Sequence, residues 1–120
     1  MTLTEKQLQA ILKDPEKAAE FYNLTYVYDH HLTIERRKHG RGYRYFQNDN
    51  PISKTEIIER IKGLVIPPAW SNVRITDLEN GHLQVVGRDE KGRKVYKYHD
   101  LWTAFRNQTK FLKMSAFGNA

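Results

Sequence analysis

At 120 residues, with 39% hydrophobic side chains, seven Tyr, five Phe and two Trp, the chain can build one modest core and is not a disordered segment. No cysteine occurs, which excludes disulfides and thiolate metal sites and is compatible with a reducing cytoplasm. The formal charge of +6 is unevenly placed: residues 1–35 carry a net −3, leaving +9 on the remaining 85, a balance that fits a polyanionic partner or a soluble domain that is simply basic.

Leu3, Leu8, Ile11 and Leu12 fall at helical spacing, with Thr4 as cap. Asp14-Pro15 starts a second helix running to about Tyr22, with Asp as N-cap and proline in the first turn. LTYVYD (24–29) and GYRYFQ (42–47) read as strands from their aromatic and β-branched content. Between them IERRKHGRG carries Arg36, Arg37, Lys38 and Arg41 without an intervening acid, a pattern usual for a solvated loop. Asn48 to Pro51 is a turn. Ser53 with Glu56 forms a capping box for a helix that ends at Gly63 and buries Ile57, Ile58 and Ile61. VIPPAW (65–70) is extended because of its two prolines, and Trp70 reads as a packing plug.

A meander follows. VRITDL (73–78) turns through Asn80-Gly81 into HLQVVGR (82–88), which turns through Asp89 to Gly92 into RKVYKYH (93–99). GRDEKGRK nearly spells a phosphate-binding loop, but Arg93 and Lys94 replace its Lys and hydroxyl residue. The residues after Gly92 alternate as in a strand, whereas such a loop must open a helix. A small-nucleotide site is therefore not expected, and Gly92 reads as the positive-φ residue of a hairpin. Asp100 caps a closing helix whose apolar positions are Leu101, Phe105, Leu112 and Phe117, beside the charged Arg106, Lys110 and Lys113. The element order predicts a single small α+β domain, with an antiparallel sheet of about five strands and short helices.

Two cationic patches stand out. Arg88, Lys91, Arg93, Lys94 and Lys97 surround Tyr96 and Tyr98 on the second hairpin, and a two-stranded ribbon of this kind fits a DNA major groove. An equal reading makes both tyrosines core residues and the lysines solubilising. The second patch is the Arg36–Arg44 segment, with Arg36, Arg37, Lys38 and Arg41 as its candidate contacts. The five histidines show no paired ligand spacing, and no nucleophile has an activating neighbour, so neither metal nor other cofactor is expected. No apolar run reaches membrane-span length and no leader pattern opens the chain.

GLVIPPAW (63–70), NGHLQVVGRDEKGRKVYKYH (80–99), the closing Trp102, Arg106, Lys110, Phe111, Met114, Phe117 and Gly118, and HLTIERRKHGRGYRYF (31–46) resemble the N-terminal domain of type IB DNA topoisomerases of the bacterial and poxvirus group. The resemblance implies an ATP- and metal-independent enzyme that closes round duplex DNA. In that family a tyrosine forms a 3′-phosphotyrosyl link, the free end swivels, and the strand is resealed. The catalytic residues belong to a larger C-terminal domain, and none of their motifs occurs here. The family's DNA-contacting hairpin maps onto Lys91, Arg93, Lys94, Tyr96 and Tyr98. Val95 stands where relatives usually carry Gln, which puts base-edge readout from this strand in doubt.

The expectation is thus a non-catalytic DNA-binding lobe over residues 24–120, preceded by an acidic helical segment over 1–23. Its contact residues are Arg36, Arg37, Lys38, Arg41, Arg88, Lys91, Arg93, Lys94, Tyr96, Lys97 and Tyr98. Its partners are double-stranded DNA and the C-terminal catalytic domain of the same enzyme, with no membrane. A monomer is expected, cytoplasmic and nucleoid-associated in a bacterium. The alternative is a free-standing RNA- or protein-binding module.

Overall fold

The computed structural model describes residues 13–108 together with Lys6 and Gln9. The expected helix over 3–12 and the apolar positions Leu112 and Phe117 lie outside the described residues.

Helix α1 (Pro15–Phe21) starts as its sequence demands: the Asp14 carboxylate accepts from the Glu16 N–H, and proline occupies the first turn. Ala18 and Ala19 are fully buried against Leu24, Trp102 and Phe105. LTYVYD is not a strand. Thr25 forms one bridge to Gly81, and Asp29–His31 is a single 3-10 turn. This stretch spends its backbone groups locally instead of in a ladder. Thr25 donates to the Asn80 carbonyl, its own carbonyl accepts from His82 N–H, and Val27 N–H donates to His82 Nδ1.

The supposed basic loop is strand β1 (Ile34–His39), which pairs antiparallel with β2 (Gly42–Gln47) across a tight turn. The two-residue β3 (Asn50–Pro51) follows a turn in which Asn48 and Asp49 both take positive φ. Helix α2 (Thr55–Gly63) begins one residue later than the capping box requires. Lys54 is its N-cap and no side chain caps it, because Ile52 N–H still bonds the Tyr45 carbonyl and holds the chain extended.

Strands β4 (Ser71–Ile75), β5 (Leu83–Arg88) and β6 (Lys94–Tyr98) complete one antiparallel sheet of order β3-β2-β1-β4-β5-β6, so the fold is α+β. Asn80-Gly81 does not make a two-residue hairpin: residues 76–82 form a longer link. Glycine at 81 permits a close approach, since a Cβ there would lie 3.1 Å from a Val27 methyl and 3.2 Å from the Thr76 methyl. Helix α3 covers the described residues 100–108. Its cap is His99, not Asp100: His99 Nδ1 accepts from Leu101 N–H at 3.1 Å.

Alternation along the strands sorts the sheet into two faces. One face buries Ile34, Ile75 and Val85 with Val73 under Ile61 of α2, with Ile57 and Trp70 packed at the edge. Ile58 is half-buried. The opposite face carries Val86, which joins Val27, Leu32 and Leu83 in a smaller cluster under the 24–33 segment. That second face also carries Glu35, Arg37, Arg44, Arg74, Tyr96 and Tyr98.

Candidate nucleic-acid interface

The β5–β6 hairpin is closed by one carboxylate. Asp89 accepts from Lys91 N–H and Arg93 N–H, both at 2.9 Å, and from Arg93 Nε at 2.8 Å. The backbone N–H of Arg93, above all, holds the Asp89 carboxyl below its ordinary range. Gly92 has φ +77°, as its place in the turn predicts, and its N–H bonds the Asp89 carbonyl. Arg93 is thereby folded back onto the turn, while Lys91 is exposed at its tip.

Lys94, Tyr96 and Tyr98 line one side of β6 and are exposed; Val95 and Lys97 point to the α2 side and are half-buried. The structure therefore separates Lys97 from Lys94, Tyr96 and Tyr98. The Tyr96 and Tyr98 rings stack at 6.1 Å and 20°. Tyr96 and Tyr98 are 43% and 37% exposed, so neither is the core residue that the sequence also allowed. Burial of part of its ring pushes the Tyr98 hydroxyl up, keeping it a neutral donor and acceptor. Lys94 Nζ is 5.5 Å from the Tyr96 ring centre and forms an ion pair with Asp29. That carboxylate's hydrogen bond holds the ammonium above its ordinary range. Arg88 lies opposite Lys94 in the ladder, exposed, and donates to the Gly92 carbonyl.

The first cationic run is split by strand alternation. Arg36 faces the α2 side, where it donates to the carbonyls of Pro67 (3.1 Å) and Trp70 (2.8 Å) and lies 4.2 Å over Tyr43. It is a staple for the PPAW segment, committed within the fold. Lys38 shares that side near the strand end, and Arg41 is exposed in the turn. Arg37 projects to the tyrosine face, paired with Asp49 at 2.6 Å and Glu35 at 3.2 Å and lying 4.3 Å over Phe46. Two exposed arginines on that face were not among the expected contacts: Arg44, opposite Arg37, and Arg74, opposite Glu35. Their signal was the period-2 pattern of YRYF and VRIT, in which each arginine stands between apolar neighbours that face the core.

The geometry is that of a cationic, tyrosine-bearing sheet face beside a protruding hairpin, opposite the face that packs on α2. Residues 42–89 match the model of the bacterial DNA topoisomerase IB N-terminal domain. The chain is also 40% identical over 86 residues, 70% of its length, to DNA topoisomerase 1B of Acanthamoeba polyphaga mimivirus. The chain belongs to the family of type IB topoisomerase N-terminal domains. It spans about a quarter of the length of that curated relative, 25%. No solved structure matches it with significance. Within this topoisomerase domain the family segment begins at the first residue of β2 and stops inside the β5–β6 turn. It thus holds the β4–β5 ladder on whose edge β6 pairs, while β1 and β6, with Tyr96 and Tyr98, lie outside it.

Proposed function

We propose that this domain is the DNA-binding lobe of a type IB topoisomerase, clamping duplex DNA for cleavage and religation by a C-terminal catalytic domain. The observation that carries the reading is the exposed row of Lys94, Tyr96 and Tyr98 beside Arg88, held on a rigid ribbon. Ammonium and guanidinium groups bind phosphate oxygens and set register; the phenol hydroxyls bond a phosphate or touch a base edge. Val95 points to the other side, so the ribbon's contact row holds no amide to read bases, and binding falls mainly on the backbone. The lobe contributes position and affinity, and the strand-cutting tyrosine comes from the catalytic domain.

Salt titration with a labelled duplex tests this. Log affinity should fall with log salt at a slope near −0.9 for each phosphate neutralised. Lys94→Ala with Arg88→Ala should weaken binding on every sequence and flatten the slope. Slope-free binding, or a double variant that binds as well as the parent, would refute the assignment of this ribbon.

A further inference from the structure

The ladder registers align side chains from five strands into rows that cross the tyrosine face. One row runs Phe46, Glu35, Arg74, Val86, Tyr96, each residue the partner of the next. Two residues further along, about 7 Å away at the usual rise, runs a second row. It contains Arg44 opposite Arg37 on β2 and β1, and Arg88 opposite Lys94 on β5 and β6, where Arg88 also faces Ser71 of β4; the β1–β4 pairing itself ends at Glu35 and Arg74. The two pairs place four cations on the same side of the first row. All four are exposed. That the first pair shares a face with the hairpin cations is not visible along the chain, because Arg37 and Arg44 come from different strands, 57 and 50 positions before Lys94.

We propose that this row is a phosphate track that extends the DNA contact from the hairpin across the sheet to β2, with Arg44 as its outer contact. The proposal rests on the reading of the domain as a duplex-binding lobe and adds the surface on β1 and β2. From β2 to β6 there are four strand spacings of about 4.8 Å, about 19 Å in all. Over that length one DNA strand rises past about five phosphates. The occupant is duplex backbone: the row is cationic, flanked by the two tyrosines at one end and the Phe46 ring at the other, and polyanionic charge complements it. Arg44 is the informative member. Its guanidinium lies 5.8 Å from the Phe46 ring and, among the described residues, joins no ion pair, whereas Arg37 is held by Glu35 and Asp49.

The experiment compares the full chain with Arg44→Ala, Arg44→Glu and Lys94→Ala, using fluorescence anisotropy of a labelled duplex at several salt concentrations. Thermal melts confirm that each variant is folded. Arg44→Ala should weaken binding on all duplex sequences and reduce the magnitude of the log–log slope by about 0.9, one phosphate's worth. Arg44→Glu should weaken it further. If Lys94→Ala weakens binding but both Arg44 variants match the parent in affinity and slope, the track ends at the hairpin and the inference is wrong while the DNA-binding reading stands. If the parent itself ignores duplex and prefers single-stranded RNA or an acidic protein, both fall together.

Discussion

At Lys94 two anions compete for one ammonium. Asp29 already occupies it in the free domain, just as Asp49 and Glu35 occupy Arg37 and Asp89 occupies Arg93. On the proposed reading, carboxylates stand where phosphates would bind, and DNA would have to displace them. Asp29→Asn should therefore raise duplex affinity at low salt, by less than about tenfold because exposed pairs are weak; lowered affinity in the same titration would contradict the competition. His82 makes a different residue-level prediction. Burial holds its imidazole below the ordinary 6.5, and Nδ1 accepts the Val27 N–H while the ring stacks on Tyr26 at 4.1 Å. The unfolded chain takes up a proton on His82 more readily than the folded one, so stability is complete above about pH 6.5 and falls as pH drops below it. Melting temperatures at neutral and acid pH should show this loss, and His82→Gln should lessen it; equal acid sensitivity in both proteins would remove His82 as a cause.

Among the elements, the β4–β5 link and α2 are tied by one buried amide. Gln84, 2% exposed, accepts from Arg60 at 2.6 Å and donates to the Gly81 carbonyl at 2.7 Å, while Arg60 also bonds the Thr76 carbonyl at 2.6 Å. Gln84→Ala would strand these partners, and we expect a loss of about 1–3 kcal/mol in urea unfolding, the usual cost of unmet buried polar groups. An unchanged midpoint would show that water replaces the amide. Elements were legible to the extent that their pattern was local. The β5–β6 hairpin follows from Gly92 and strict alternation, and α1 from Asp14-Pro15. Strand β1 was not legible because both of its faces carry charge: Arg36 occupies a core-side position by bonding three backbone carbonyls, which hides the period of two. LTYVYD misleads in the opposite sense, since its apolar side chains are buried by packing over the sheet and not by pairing within it.

For the molecule as a whole, the six-stranded sheet has two unlike faces, and the proposed function rests on that difference. One face is closed by α2 and a core of Ile34, Ile61, Ile75 and Val85. The other gathers Arg37, Arg44, Arg74, Arg88, Lys94, Tyr96 and Tyr98 from all five longer strands. Charge excess and the hairpin could be read along the chain; the assembly of a surface from side chains on five strands could not, because it depends on register. The most direct test is amide chemical-shift mapping of the labelled domain on addition of a duplex oligonucleotide. The account predicts shifts along β6, at Arg88 and across β1 and β2, with the Tyr96 and Tyr98 rings perturbed and α2 quiet. Shifts concentrated on α2, with the sheet face silent, would contradict it.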